Sequence, residues 1–317
     1  MNTILCGDAI KLLKTLPDQS VHTCVTSPPY YGLRDYGMPK QIGLEQTPYE
    51  YIAKLMEVFR EVRRVLRDDG TLWINIADSY AGSNKGAWNR SADTRPKSKQ
   101  VYHYEADNPA VKIPNTWEGI KPKDMLGIPW MLAFALRSDG WYLRSDIIWQ
   151  KPNAMPESVT DRPAKSYEHI FLLSKSPRYY FDNEAIKEPL KQSSIERAKC
   201  GVSAKNKYIS GAPGQTAQGM NKPRATMRMP VMRNKRDIWT VSTKGFKGAH
   251  FATYPVDLII PCILAGSQVD GIVLDPFFGS GTTGVAALRC GRNYIGIEIN
   301  PEFCEMAKNR IAQERSC

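Results

Sequence analysis

Several features that define other protein classes are missing from this chain of 317 residues. The seven cysteines are scattered and form no C-x-x-C pair, which excludes zinc ribbons and thioredoxin-like redox sites. An odd, dispersed set of cysteines is typical of reduced thiols, so we expect a cytoplasmic protein. No apolar run approaches the roughly 20 residues of a membrane-spanning helix. The first residues also lack the basic start and the cleavage site of a signal peptide.

Acidic residues are scarce in one segment, which holds almost all of the excess positive charge. The formal net charge of the chain is +11, and residues 184–247 hold 14 lysines and arginines against 4 acidic residues, hence +10. Such a concentration of charge is typical of a module that binds a polyanion on a near-neutral scaffold. A solvated, partly disordered insertion would show the same charge run, so composition alone leaves both interpretations open.

Strand and helix patterns alternate along most of the chain. Short apolar stretches predict strands at 3–8, 21–26, 71–79, 146–152, 168–176, 272–274 and 294–299. Helical periodicity separates most of them, which predicts a mostly parallel sheet covered by helices on both faces. Two stretches lose all periodicity, namely 80–122 and the basic segment.

A glycine-rich turn follows the strand predicted at 272–274. It reads D-P-F-F-G-S-G-T-T-G from Asp275 and opens a helix, so that backbone N–H groups can approach a ligand. The next strand ends near Glu298, where a carboxylate is placed to accept hydrogen bonds from ribose hydroxyls. The lysine that would serve a nucleoside triphosphate is absent. The turn therefore predicts a cofactor that contains adenosine and leaves NAD and S-adenosylmethionine open.

Two consecutive prolines directly follow the strand predicted at 21–26, in the sequence Ser27-Pro28-Pro29-Tyr30. Proline is excluded from strand interiors because it cannot donate to the ladder, so these residues predict a stiff lip at the strand end. Together with the glycine-rich turn, this lip resembles the amino-methylating DNA methyltransferases. These enzymes transfer a methyl group from S-adenosylmethionine to an exocyclic nitrogen of adenine or cytosine. The order of the motifs, with the basic segment between them, resembles the β class of that family.

The resemblance implies a doubly wound, mostly parallel α/β sheet of seven strands, a circular permutation of the Rossmann-like methyltransferase sheet. It implies a catalytic domain over 1–183 and 248–317, with a long loop insertion at 80–122, and a target-recognition region over 184–247. The residues implied in cofactor binding are Asp8, Phe251, Asp275, Phe277, Gly279, Ser280, Gly281, Thr282 and Glu298. The residues expected to bind DNA are Arg224, Arg228, Arg233, Lys235 and Arg236.

The lip has the residue types that amino methylation needs. The amino nitrogen of a base is a poor nucleophile because its lone pair is delocalised into the ring. The Ser27 hydroxyl and the Pro28 carbonyl can accept its two N–H groups and favour a pyramidal nitrogen, while consecutive prolines fix the backbone. Tyr30 is expected to stack on the base, which must be flipped out of the duplex. The reaction requires no metal.

The first residue of the lip bears on the target base. In the family, cytosine-N4 enzymes generally carry Ser-Pro-Pro and adenine-N6 enzymes generally carry Asp or Asn first, so Ser27 favours N4 of cytosine. Adenine N6 is the first alternative, followed by methylation of protein or RNA and by a catalytically inactive DNA-binding protein. Double-stranded DNA is the expected partner. A homodimer and a cognate restriction endonuclease are left open.

Overall fold

Strands from both ends of the chain meet in one mixed sheet. The computed structural model describes residues 2–33, 35–82, 119–199, 232–243 and 254–315. The strands are β1 (Thr3–Cys6), β2 (Val21–Thr26), β3 (Leu66–Ile76), β4 (Tyr142–Gln150), β5 (Tyr167–Ser174), β6 (Glu188–Pro189), β7 (Met232–Arg233), β8 (Ile238–Thr240), β9 (Ile272–Asp275) and β10 (Asn293–Glu298). Eight of them form one sheet in the order β1-β10-β9-β2-β3-β5-β4-β8.

The sheet has the predicted fold class and one strand more than expected. Strands β1, β10, β9, β2 and β3 are parallel, and β5 runs antiparallel to both β3 and β4. The two last strands of the chain lie between β1 and β2, which is the permuted order implied by the motifs. The predicted count of seven strands is wrong because β8 pairs with β4 at the sheet edge. Three residues are too few to show a strand period in the sequence.

Helices cover both faces of this sheet. They are α1 (Ala9–Leu13), α2 (Pro48–Val65), α3 (Ile128–Ser138), α5 (Val256–Gly266), α6 (Thr282–Arg289) and α7 (Pro301–Arg315). A further helix, α4 (Gln192–Lys199), belongs to a separate compact unit of the chain. Side chains alternate along β3: Leu72 and Ile74 join the apolar core formed with α1, α2 and α3, whereas Thr71 and Trp73 lie directly under Gly266 of α5. None of the helices within the described ranges is long and apolar enough to cross a membrane.

Helix α2 shows how the local sequence fixes an element. Thr47 caps it by accepting a hydrogen bond from the backbone N–H of Glu50, and Pro48 occupies the first turn. Its buried residues recur every three or four positions, which gives one apolar face against the sheet. They include Tyr51, Leu55, Val58, Phe59 and Val62.

The chain divides into two compact units. One consists of Met1–Asp182 and Asp237–Cys317, and the other consists of Asn183–Arg236. In the second unit, β6 and β7 pair antiparallel, and Glu188 binds both Arg233 and Lys235, at 3.2 and 3.0 Å. The predicted recognition region, 184–247, extends further, but residues 237–243 belong to the first unit because β8 joins the sheet. Most of the loop predicted at 80–122 lies outside the described residues.

Close packing fixes the glycine-rich turn against its neighbours. The ring of Phe278 lies over Gly296 in β10, where an added Cβ would stand 2.3–2.5 Å from the ring atoms. At Gly281, φ is +80°, and an added Cβ would stand 2.9 Å from the Cβ of Ala307 in α7. The glycines therefore let a strand and a helix approach the turn.

We predict that Gly296→Ala destabilises the protein, because its methyl group overlaps the Phe278 ring. The expected loss in the free energy of unfolding is about 1–3 kcal/mol, the usual cost of overpacking. Denaturant titration measures it. The control is the same substitution in a Phe278→Leu background, where a smaller, flexible side chain should reduce the loss. An equal loss in both backgrounds would contradict this packing.

Candidate active site

One large cavity opens where the parallel strands end. Its volume is about 1200 Å³, and its lining includes residues that follow β1, β2, β9 and β10. Parallel neighbouring strands bring their carboxyl ends to one edge of the sheet, which is where open α/β sheets bind ligands. The cavity thus lies where the sequence motifs predicted a site.

Most of the predicted site residues line this cavity. It brings together Asp8, Ser27, Pro28, Pro29, Tyr30, Phe277, Gly279, Ser280, Thr282 and Glu298. Asp275 and Gly281 are not among the lining residues, and Phe251, Arg224 and Arg228 lie outside the described residues. In the second unit, Arg233 and Lys235 share Glu188, and Arg236 is exposed.

Glu298 is fixed at the end of β10 by backbone donors. Its Oε2 accepts from the N–H of Gly279 at 2.8 Å, and its Oε1 accepts from the N–H of Asn300 at 2.9 Å. Burial raises the pKa of its carboxyl, and these two hydrogen bonds act in the opposite direction. A carboxylate can accept about four hydrogen bonds, so the three backbone donors Gly279, Asn300 and Ile299 leave it the capacity for one more from the cavity. That arrangement fits a ribose hydroxyl.

Three further predicted residues have a structural partner as well as a place in the cavity. Asp8 caps α1 by accepting a hydrogen bond from the N–H of Lys11 at 2.9 Å. The same residue also lines the cavity. Arg310 donates to the hydroxyls of Ser280 and Thr282, at 3.0 and 2.9 Å. These hydrogen bonds hold the start of α6 in place.

Asp275, predicted to bind the cofactor, is buried behind the turn, 1% exposed. Its Oδ1 accepts from the Thr26 hydroxyl at 2.6 Å and from the N–H of Phe277 at 3.0 Å. Its Oδ2 accepts from the hydroxyls of Thr283, at 2.5 Å, and Tyr254, at 3.1 Å. Burial raises the pKa of this carboxyl, and the four hydrogen bonds oppose that rise. Asp275 therefore positions the turn instead of lining the cavity.

The lip is held from both sides. Tyr51 of α2 donates to the carbonyl of Pro29 at 2.8 Å, while Thr26, the residue before Ser27, is bound to Asp275. The Tyr30 hydroxyl donates to Oε2 of Glu168 at 2.6 Å. Burial and the Glu168 carboxylate raise the pKa of the Tyr30 phenol well above its usual range, so this hydroxyl stays protonated.

Sequence reasoning missed several polar residues of the site. Asn75, Lys151, Glu168 and Tyr254 line the cavity, and the two sequence motifs include none of them. The sequence does contain a signal for two of them, namely a glutamate and an asparagine inside apolar strands. A buried polar side chain at such a position needs a hydrogen-bond partner, which marks it as a candidate site residue.

We predict that Asp275→Asn lowers both stability and affinity for S-adenosylmethionine, because an amide nitrogen cannot accept from the surrounding hydroxyls. The free energy of unfolding should fall by about 1.5–3 kcal/mol. Tyr254→Phe, which removes one neutral hydrogen-bond donor, should cost about 1 kcal/mol. Denaturant titration and calorimetry measure the two effects. An Asp275→Asn protein with wild-type stability and affinity would refute the positioning role.

Comparison with known proteins agrees with the geometry of the site. A family model described as DNA methylase matches residues 21–309. The type II methyltransferase M.Cfr9I of Citrobacter freundii is 47% identical over 312 residues, which cover 98% of this chain and 88% of that protein. M.SmaI of Serratia marcescens is 44% identical over 312 residues, which cover 98% of this chain and 91% of that protein.

Two solved structures share the fold. The PvuII DNA methyltransferase, named as cytosine-N4-specific, has a TM-score of 0.60 at 17% identity, covering 99% of this chain and 91% of that chain. A DNA modification methylase of Thermus thermophilus, complexed with S-adenosyl-L-methionine, has a TM-score of 0.58 at 23% identity, covering 99% and 94%. The family, enzyme class and cofactor predicted from the motifs are confirmed. The chain belongs to the family of N6- and N4-specific, S-adenosylmethionine-dependent DNA methyltransferases.

Proposed function

We propose that this protein methylates the exocyclic N4 of a cytosine that is flipped out of duplex DNA. The observation that supports it is the meeting of the glycine-rich turn and the Ser27-Pro28-Pro29-Tyr30 lip in one cavity. The turn serves the methyl donor, and the lip serves the amino group that accepts the methyl. Both motifs occur at the ends of neighbouring strands, β9 and β2.

On the cofactor side, residues of the chain bind and orient a nucleoside. When bound, S-adenosylmethionine supplies a methyl group attached to a positively charged sulfur. Glu298 accepts a hydrogen bond from a ribose hydroxyl with the capacity that its backbone donors leave open. Asp8 and Phe277 line the same cavity and contact the adenosine part.

On the base side, the lip supplies two acceptors. Ser27 lines the cavity, and its hydroxyl oxygen accepts from one N–H of the amino group. The Pro28 carbonyl accepts from the other, and no backbone N–H among the described residues donates to it. The carbonyl of the next residue, Pro29, instead accepts a hydrogen bond from the Tyr51 hydroxyl. The ring of Tyr30 also lines the cavity, where a flipped base stacks against it.

The choice of cytosine N4 rests on Ser27. Its single hydroxyl stands where the adenine-N6 enzymes of the family generally carry Asp or Asn. Adenine N6 is the alternative, because either kind of side chain offers an oxygen that accepts from an amino group.

DNA recognition is assigned to the basic segment 184–247. Arg233 and Lys235 both bind Glu188, whose carboxylate offsets one of their two positive charges. Their net attraction for phosphates is therefore weaker than that of two unpaired cations. Arg236 is exposed on the same unit and is suited to a phosphate or a guanine edge. A homodimer and a cognate endonuclease stay predictions.

The product identifies the target base. Plasmid DNA incubated with the protein and labelled S-adenosylmethionine should yield N4-methylcytosine in nucleoside mass spectrometry. N6-methyladenine would refute the cytosine assignment and support the alternative. Ser27→Ala should lower the single-turnover rate with cofactor affinity unchanged, as expected for an interaction made mainly in the transition state. A Ser27→Ala enzyme with near-normal rates would place the amino group elsewhere.

Charge removal tests the DNA-binding segment. The Arg224→Ala/Arg228→Ala and Arg233→Ala/Lys235→Ala/Arg236→Ala variants should bind duplex DNA more weakly, with a smaller salt dependence. Each lost phosphate contact should reduce the slope of log K against log salt by about 0.9. Lys14→Ala/Lys121→Ala, which removes two exposed charges outside the segment, is the control. Unchanged affinity and slope in both clusters would exclude the segment from DNA binding.

A further inference from the structure

Five residues at the inner wall of the cavity form a hydrogen-bonded group, here called the Tyr30 network: Ser27, Tyr30, Asn75, Lys151 and Glu168. They come from the lip, β3, the end of β4 and β5, and all five line the cavity. Their side chains include a nearly buried ion pair, with Lys151 19% and Glu168 11% exposed. Glu168 is connected through Tyr30 to Ser27, the residue that is proposed to hold the amino group.

The Glu168 carboxylate sets the direction of the hydrogen bonds in this network. A glutamate carboxylate accepts and cannot donate, so Tyr30 must donate its single proton to it, at 2.6 Å. The Tyr30 oxygen is then left as an acceptor. Ser27, whose Oγ lies 3.5 Å away, is the donor in this long contact. With its proton directed toward Tyr30, Ser27 presents its lone pairs to the cavity.

The other members hold Glu168 in this arrangement. Lys151 binds Oε1 and is a donor only, so it compensates the buried negative charge. The amide nitrogen of Asn75 donates to Oε2 at 3.0 Å and to the carbonyl of His169 at 3.1 Å. Its amide oxygen faces the Tyr30 hydroxyl at 3.1 Å, a longer distance than the one from Tyr30 to the carboxylate. The charged, closer acceptor receives the Tyr30 proton.

We propose that Glu168, paired with Lys151, is a positioning residue that fixes Ser27 as a hydrogen-bond acceptor through Tyr30. The inference deepens the proposed function and rests on it. The N–H bonds of an amino group are hydrogen-bond donors, so the site needs Ser27 as an acceptor. A serine free to rotate would donate to the substrate in part of the molecules and would leave the nitrogen without an acceptor. Glu168 removes that state by acting through Tyr30.

The test reverses the polarity of the network with one substitution. In Glu168→Gln, Lys151 keeps the carbonyl oxygen, so the amide nitrogen turns toward Tyr30 and donates to it. The Tyr30 proton then turns to the acceptors that remain, Oδ1 of Asn75 at 3.1 Å and Oγ of Ser27 at 3.5 Å, so Ser27 is no longer held as an acceptor and directs its own proton into the cavity. We expect single-turnover methyl transfer to slow on the order of 100-fold, as for a misplaced reacting group. Cofactor affinity by calorimetry should stay unchanged.

The decisive variant is the double substitution Tyr30→Phe/Glu168→Gln. Tyr30→Phe removes the hydroxyl, leaves Ser27 free to rotate and should slow transfer less than Glu168→Gln does. In the double variant the glutamine can no longer act on Ser27, so methyl transfer should be faster than in Glu168→Gln alone. A double variant as slow as Glu168→Gln, or slower, would overturn the proposal. So would a Glu168→Gln rate within about twofold of wild type, far from the loss expected for a misplaced group.

Further variants separate this role from a structural one. Lys151→Met should slow transfer and Lys151→Arg should restore it, which keeps the test available if Glu168→Gln does not fold. Equal rates for the two Lys151 variants would count against the proposal. Glu305→Gln, in an exposed ion pair of α7, is the matched control for loss of a carboxylate. Wild-type protein that methylates neither cytosine nor adenine amino groups would overturn the proposed function, and this inference with it.

Discussion

The carboxylate of Asp275 connects the two halves of the active site. It stands at the end of β9, takes four hydrogen bonds and is almost without solvent contact. One of its donors is Thr26, the residue before the lip, and two others lie on the turn and the helix that follow β9. A buried carboxylate is stable only when such donors compensate for its lost hydration. The same hydrogen bonds that keep it buried therefore hold the lip against the cofactor turn.

The sheet topology supplies the remaining geometry. Strands β1, β10, β9 and β2 run parallel, so the residues that follow them reach one edge although they lie at opposite ends of the chain. Glu298 binds the turn after β9, and Phe278 of that turn covers Gly296 of β10. The cofactor side is thus determined by two neighbouring strands, and the base side by β2 with the polar residues of β3 and β5.

The sequence predicted the parts of this arrangement that depend on short segments. Apolar runs and glycine-rich turns identified the principal strands of the sheet, and the motifs after β2 and β9 identified the cavity. The direction of the Asp275 side chain was not predictable, because it depends on hydroxyls of Thr26 and Tyr254, distant in sequence. Glu168 joins Tyr30 across 138 positions, and no local pattern reports such a contact. Strand β8 was missed because three residues carry no period.

The most direct test of the account is a double-mutant cycle between Thr26→Val and Asp275→Asn. The measurement is the single-turnover rate of methyl transfer at saturating S-adenosylmethionine, so that cofactor affinity does not enter. If the carboxylate holds the lip through Thr26, the two effects should be coupled by about 0.5–3 kcal/mol, as for side chains in contact. Effects that add to within about 0.5 kcal/mol would contradict the account. The lip and the turn would then be positioned independently.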